Sequence, residues 1–393
     1  MGANELLAEL AGIGRTSSGG YSRLSWDPAT MGLREWFAGQ AEAVGLELTE
    51  DGNGNQVAWW GDGTDALLLG SHLDSVPDGG PLDGPLGVAS ALAAITRLKA
   101  EGWTPSRPVA VANFTDEEGA RFGMACLGSR LATGASAVDS ALALKDADGS
   151  TLAEVMATRG RDPHGAGPAD WLGKIKYYVE LHVEQGRWLG PHGSPVGVAS
   201  TIWPHGRWRL DFCGQGNHAG ATEMADRHDP MLSYAAIVLA ARELALDSGQ
   251  RATIGRVQVE PGSTNSIPTQ VTAWLDARAD SEPALTALVA GILERAQLAA
   301  RDDGTTVEVR AESTTGAVSF DAGLRHRLAA LLDAPVLPTG AGHDAGILAA
   351  KLPTAMLFVR NPTGVSHAPQ EWASAEDIDA GVDALVQVVR ELA

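Results

Sequence analysis

The chain has 393 residues, 44% hydrophobic and 20% charged, which exceeds the ~250–300 residues at which a single core stops growing and reads as two domains of an ordinary globular protein. Its 29 basic and 49 acidic residues give a formal charge of -20, which repels phosphate backbones and anionic lipid and so excludes nucleic acid and membrane as expected partners. No apolar run reaches the roughly 18 residues of a membrane span.

The opening residues, with Glu5, Glu9 and Arg15, lack the basic and apolar regions of a secretory signal, so the expected compartment is the cytoplasm. Residues 66–74, Ala-Leu-Leu-Leu-Gly-Ser-His-Leu-Asp, form a short apolar run ending in polar groups. A Gly/Pro-rich loop and a helical pattern from Leu86 to Lys99 follow, which predicts strand, loop, helix. Residues 107–116 repeat the theme, with Val109 to Phe114 running into Asp116, Glu117 and Glu118. Functional groups thus stand where parallel strands end, the place at which such sheets make clefts. Cys126 and Cys213, isolated in a long chain, read as small buried hydrophobes in a reducing compartment.

In 177–184, Val179, Leu181 and Val183 alternate with Glu180, His182 and Glu184, and the period of two predicts a strand with His182 on a polar face between two carboxylates. The texture changes near Trp203. Trp208, Leu210 and Phe212 alternate inward, a helix is expected from Asp229 to Leu246, and strands are expected at 253–260 and 269–278. A helix from Pro283 to Ala300 and a strand from Thr306 to Arg310 complete a sheet with helices on one face. Thr354 to Val359 is another buried strand, followed by a loop carrying His367; Ser374 with Asp377 then forms a capping box before a last helix, Ile378 to Leu392. The expected fold class is α/β, with a discontinuous catalytic domain, 1–199 and 311–393, interrupted by an α+β domain, 200–310.

A single histidine carries little information, because most serve as surface or structural groups. Here His72, Asp83, Glu118, His182 and His367 all fall at predicted strand ends or in adjoining loops, where they can converge on one cleft. Nitrogen and carboxylate ligands without thiolates suit two divalent ions of zinc, manganese, cobalt or nickel, held about 3.5–4 Å apart by a shared carboxylate. Asp83 is the natural bridge. Asp74, two residues past His72, is expected to bond that ring's second nitrogen. Adjacent acids often make only a solvated turn, but a strand runs into Glu117 and Glu118, so one can ligate (Glu118) while the other acts as base on water (Glu117). No Gly-x-Ser-x-Gly elbow or Walker lysine is present.

These residues resemble the allantoate amidohydrolase and N-carbamoyl-L-amino acid hydrolase family. The matching runs are Gly70 to Ser75, Leu82-Asp83-Gly84, Asp116 to Gly119, Glu180 to Gly186, Gly216 to Gly220, Asn265 to Pro268, Asp276 to Arg278, Gly340 to Ala345 and Gly364 to His367, in the family's order across essentially the whole chain. The resemblance implies a zinc-exopeptidase-like catalytic domain, a mixed, mostly parallel sheet with helices on both faces, and a ferredoxin-like insert serving as lid and homodimer interface. It implies two ions about Asp83, with His72 and His182 on one and Glu118 and His367 on the other. It also implies that His218 reaches the partner subunit's site to stabilise an oxyanion, and that Asn265 and Arg278 hold the carboxylate of a small ureido substrate. Gln185 and His343 match positions near the substrate, with Asp344 orienting His343. Pro81, Pro85 and Glu223 depart from the family's pattern. An aminoacylase or dipeptidase of the same superfamily would use the same metals, whereas a metal-stabilised binding protein without turnover would have no use for Glu117.

Overall fold

The computed structural model describes Met1–Ala393. It divides into two compact units, Met1–Thr201 with Ser319–Ala393, and Ile202–Val318. The second boundary lies beyond the expected 310/311 because the last strand of the insert runs Thr306–Thr315, staying paired past a bulge, with Thr315 opposite His205.

The first unit is built on a nine-stranded mixed sheet. At its centre Thr354–Val359, Ile175–Val183, Ala66–His72 and Val109–Phe114 lie side by side and parallel. Gln56–Trp60 and Glu47–Glu50 continue antiparallel on one flank and Val196–Ile202 on the other. Parallel strands are covered on both faces and so read as unbroken apolar runs; every residue of Ala66–His72, Val109–Phe114 and Thr354–Val359 is buried. Leu181 lies against Gly381 of the helix Ala375–Leu392, while its neighbour Glu180 accepts the Ala345 N–H from the helix Asp344–Leu348. Successive side chains of a strand point to opposite faces, so these two helices cover opposite faces of the sheet.

The same geometry corrects the expected polar face around His182. Tyr178 to Val183 is buried throughout, and the alternation marks two buried faces rather than one wet face. Glu180 is satisfied by the Ser71 hydroxyl (2.8 Å) and the Ala345 N–H (2.9 Å). Glu184 accepts the N–H groups of Trp188 and Leu189. The capping box is half made: Ser374 accepts the Asp377 N–H (3.1 Å), but the Asp377 carboxylate takes two bonds from Arg360 instead of reaching back. Cys126 is buried as expected, but Cys213, the last residue of the strand His205–Cys213, is exposed.

The second unit has the chain order βαββαβ, with antiparallel strands in the spatial order Arg251–Glu260, Gln270–Arg278, His205–Cys213, Thr306–Thr315. Trp208, Leu210 and Phe212 pack with Ile237 of the helix Pro230–Ser248 and Ile292 of Glu282–Asp302 in one core. The first of these helices starts where Asp229 accepts the Met231 N–H ahead of Pro230, and stops at left-handed Gly249.

Candidate active site

The parallel register sets His72 opposite Phe114, so the turn that follows Phe114 carries Glu117 and Glu118 past the end of the His72 strand. His182 ends the neighbouring strand, its ring 6.1 Å from that of His72. Asp83 approaches from the loop before the helix Pro85–Ala100. The loop needs glycine at 84: its φ is +83°, and a Cβ there would lie 2.4 Å from the His72 ring.

The two oxygens of Asp83 face different partners. Oδ1 lies 3.0 Å from His182 Nε2 and 3.6 Å from His72 Nε2. Oδ2 lies 3.2 Å from His367 Nε2, which is 3.4 Å from Glu118 Oε2. Ligating atoms therefore gather in two groups, His72–Asp83–His182 and Asp83–Glu118–His367, each within 4.8 Å, with Asp83 in both. Gln185 donates to Asp83 Oδ2 (2.8 Å), which places it against the shared carboxylate.

Backbone carbonyls set both buried rings. His72 Nδ1 is 3.1 Å from the Asp74 carbonyl and His182 Nδ1 is 2.9 Å from that of Val183. A carbonyl only accepts, so each Nδ1 carries a proton, which leaves each Nε2 as the ring atom that faces Asp83 and is able to ligate a cation. The Asp74 carboxylate also stands 3.5 Å from His72 Nδ1, and it accepts the N–H groups of Glu117 (3.2 Å) and Glu118 (3.1 Å), fixing the turn that bears both acids.

His72 Nε2, His182 Nε2 and Glu118 Oε1 are buried without a hydrogen-bond partner. Each such atom costs about 1–3 kcal/mol, and divalent cations between these nitrogens and oxygens would satisfy all three, so the residues present fit the group. The electrostatics agree. Burial opposes ionisation of Asp83, but His182, His367 and His72 outweigh it and hold the carboxyl well below the usual carboxylate range. Burial and the nearby Asp83 push Glu118 up to about 7. Glu117 is raised well above its ordinary value by burial, with Asp344, Glu118 and Asp83 adding to it against His72. The bond to Asp83 lifts His367 to about 9.

Glu117 stands over the first group, with Oε2 3.8 Å from His72 Nε2 and Oε1 accepting from the Cys126 thiol at 3.6 Å. His343 Nδ1 lies 4.0 Å from Glu117, and its ring is 4.5 Å from that of His182. Burial, then His182, drives its pKa well below 6.5 and keeps it neutral. Asp344 accepts from the Ser129 hydroxyl through Oδ1. Glu371, which sequence reasoning missed, is buried beside Asp83 and accepts the N–H groups of Leu82 and Asp83. Nothing in the local pattern marks it beyond an acidic residue in the His367 loop.

In the second unit, His218 sits on the two-residue strand Asn217–His218, paired with Ser266–Ile267, in a recess that Asn265 also lines. Its Nδ1 accepts the N–H groups of Gly220 and Ala221, both at 3.1 Å, so the exposed Nε2 carries the proton and is a donor. Asn265 accepts from the Ser263 hydroxyl. Arg278 grips Asp276 with two bonds, at 2.8 and 3.2 Å. It ends the strand Gln270–Arg278, whereas Thr269, at the other end, lines the His218 recess. At about 3.3 Å per residue the nine steps between them span about 30 Å, so one copy of this unit does not bring Arg278 and Asn265 together.

Residues 68–391 match the model of "Peptidase family M20/M25/M40". The chain is similar to an N-carbamoyl-L-amino acid amidohydrolase of Geobacillus stearothermophilus, 37% identical over 98% of this chain and 97% of that protein. It is likewise similar to an allantoate amidohydrolase of Bacillus subtilis, 31% identical over 98% of this chain and 95% of the other. Among solved structures, an amidase of the hydantoinase/carbamoylase family from Burkholderia vietnamiensis superposes with a TM-score of 0.91 at 31% identity, covering 100% of this chain and 96% of that one.

Proposed function

Because the chain belongs to peptidase family M20/M25/M40, we propose that it hydrolyses the ureido or carbamoyl C–N bond of a small carboxylate-bearing substrate, allantoate or an N-carbamoyl-L-amino acid. The observation that carries this reading is the division of the Asp83 carboxylate between two ligand groups, each with nitrogens and oxygens only. His72 and His182 would hold one divalent ion and Glu118 and His367 the other, with Asp83 contributing to both. When bound, such ions polarise the scissile carbonyl and lower the pKa of an attacking water toward about 7.

The protein's own groups do the rest. Glu117, fixed by Asp74 at its N–H and by Cys126 at one oxygen, takes a proton from the water as oxygen attacks the carbonyl carbon. The same proton passes to the departing nitrogen when the C–N bond breaks. The donor Nε2–H of His218 steadies the negative charge on the carbonyl oxygen, and an arginine fork at Arg278 grips the substrate carboxylate. Gln185 and His343 border the same space and Asn265 adds a polar contact.

The insert is also where two copies meet. The helix Pro230–Ser248 leaves Leu232, Leu239 and Leu246 exposed (46, 67 and 66%) at seven-residue spacing. The neighbouring edge strand Arg251–Glu260 ends the sheet unpaired. An apolar helical stripe beside an open strand edge suits a self-complementary interface. Because Arg278 and His218 stand at opposite ends of this unit, a homodimer supplies the second of them from the partner.

Metal-loaded protein incubated with allantoate and a panel of N-carbamoyl amino acids is expected to release ammonia. Silence on every one of them, or faster cleavage of N-acetyl amino acids or dipeptides, would overturn the substrate assignment.

A further inference from the structure

We propose that Glu371 is a positioning residue that fastens the Asp83 loop to the His367 loop, so that the second ligand group is assembled before its cation arrives. This rests on the two-ion reading above.

The two ligand groups differ in how they are supported. His72 and His182 end neighbouring strands of the central sheet, fully buried, with rings set by backbone carbonyls. His367 has no such scaffold: its side chain is 47% exposed, it lies in a loop, and its φ of +55° is in the left-handed region. A non-glycine residue holds that conformation only when its surroundings enforce it. Asn361 organises the start of the loop, accepting the N–H groups of Thr363 and Gly364 and donating to the Val365 carbonyl.

Glu371 secures the other end. It is 3% exposed. Its Oε2 accepts the N–H of Leu82 (2.7 Å) and of Asp83 (3.0 Å), and its Oε1 lies 2.7 Å from the Ser366 hydroxyl. That hydroxyl is also 3.1 Å from Asp83 Oδ2. The bonds close a ring through the Asp83 backbone, the Asp83 carboxylate, Ser366 and Glu371, and Ser366 is the residue next to His367. Charge-assisted acceptance of two backbone N–H groups is among the stronger ways to set a loop. The approach is close enough that residue 80 has no room for a side chain, since a Cβ on Gly80 would lie 2.3 Å from Glu371 Oε2.

The test uses the full chain, stripped of metal and titrated with Co²⁺ or Zn²⁺ alone, followed by calorimetry and by the visible spectrum of the cobalt form. Wild type takes up two ions. Glu371→Ala is expected to weaken the second event by about 10- to 100-fold, the usual effect of losing a group that orients a ligand, and the first event by less, because Asp83 serves both groups while His72 and His182 are set by the sheet. Glu371→Gln keeps an oxygen for both N–H groups and an amide that can donate to the Ser366 oxygen, so it restores the second event. Ser366→Ala, which leaves the Glu371–backbone bonds intact, gives a smaller loss in the same event and decides the matter if Glu371→Ala does not fold. Wild-type affinities in both alanine variants, or equal weakening of the two events, would overturn the role of Glu371. A wild type that binds fewer than two ions, or whose second event survives His367→Ala, would instead sink the two-ion reading.

Discussion

Glu117 and Glu118 are adjacent carboxylates given different work by their surroundings. Glu118 faces His367 and Asp83, whereas Glu117 faces His72 and the space beside it. Glu117→Gln retains shape and hydrogen bonding but cannot accept a proton, so turnover should fall by roughly 10²–10⁴-fold, the usual worth of a positioned base. Metal content, measured by atomic emission on the same samples, should stay at the wild-type level; loss of metal would mean that Glu117 is a ligand and the division of roles is wrong. Five residues of the two ligand groups were legible in the sequence because each follows an apolar strand or sits in a Gly/Pro-bearing loop. Glu371 and Ser366 were not, because they act on backbone N–H groups and a carboxylate 283 to 289 positions away, a relation no local pattern encodes. Asp74 was visible beside His72, but its acceptance of the Glu117 and Glu118 N–H groups was not, since only the folded turn brings those donors to it.

Strands and helices followed their periodicity where one face governed burial. The helix Pro230–Ser248 falls within two residues of its expected span, and a proline at its first position and a glycine after its last explain why. Periodicity misled at Ile175–Val183, where alternation suggested one wet face. A strand at the centre of a parallel sheet is covered twice, and its polar residues are there because ligands and hydrogen-bond partners meet them inside. The outward stripe of the helix Pro230–Ser248 is the other exception, since three leucines at seven-residue spacing have no cover within their own unit. Leu239→Glu places a charge in the middle of that stripe and should convert a dimer to a monomer by light scattering. If His218 of the partner subunit completes the site as proposed, activity should fall with it while metal content is retained. An unchanged dimer that remains active would remove this helix from the interface.

Across the whole molecule, the fold class and the interrupted first unit follow from the order of strand, loop and helix signals, and the boundary at Val318 differs from expectation only by the length of one strand. Arg278 and His218 are near neighbours in the order of motifs yet lie toward opposite ends of the strand Gln270–Arg278 in the folded insert, a separation the motif order does not encode. No helix is long and apolar enough to cross a membrane. The proposed chemistry needs two cations sharing one aspartate, and anomalous diffraction from crystals grown with excess Mn²⁺ examines that arrangement without relying on turnover. Two peaks about 3.5–4 Å apart are predicted, one among His72, His182 and Asp83 Oδ1, the other among Asp83 Oδ2, Glu118 and His367. A single peak, or peaks that leave Asp83 unligated, would contradict it.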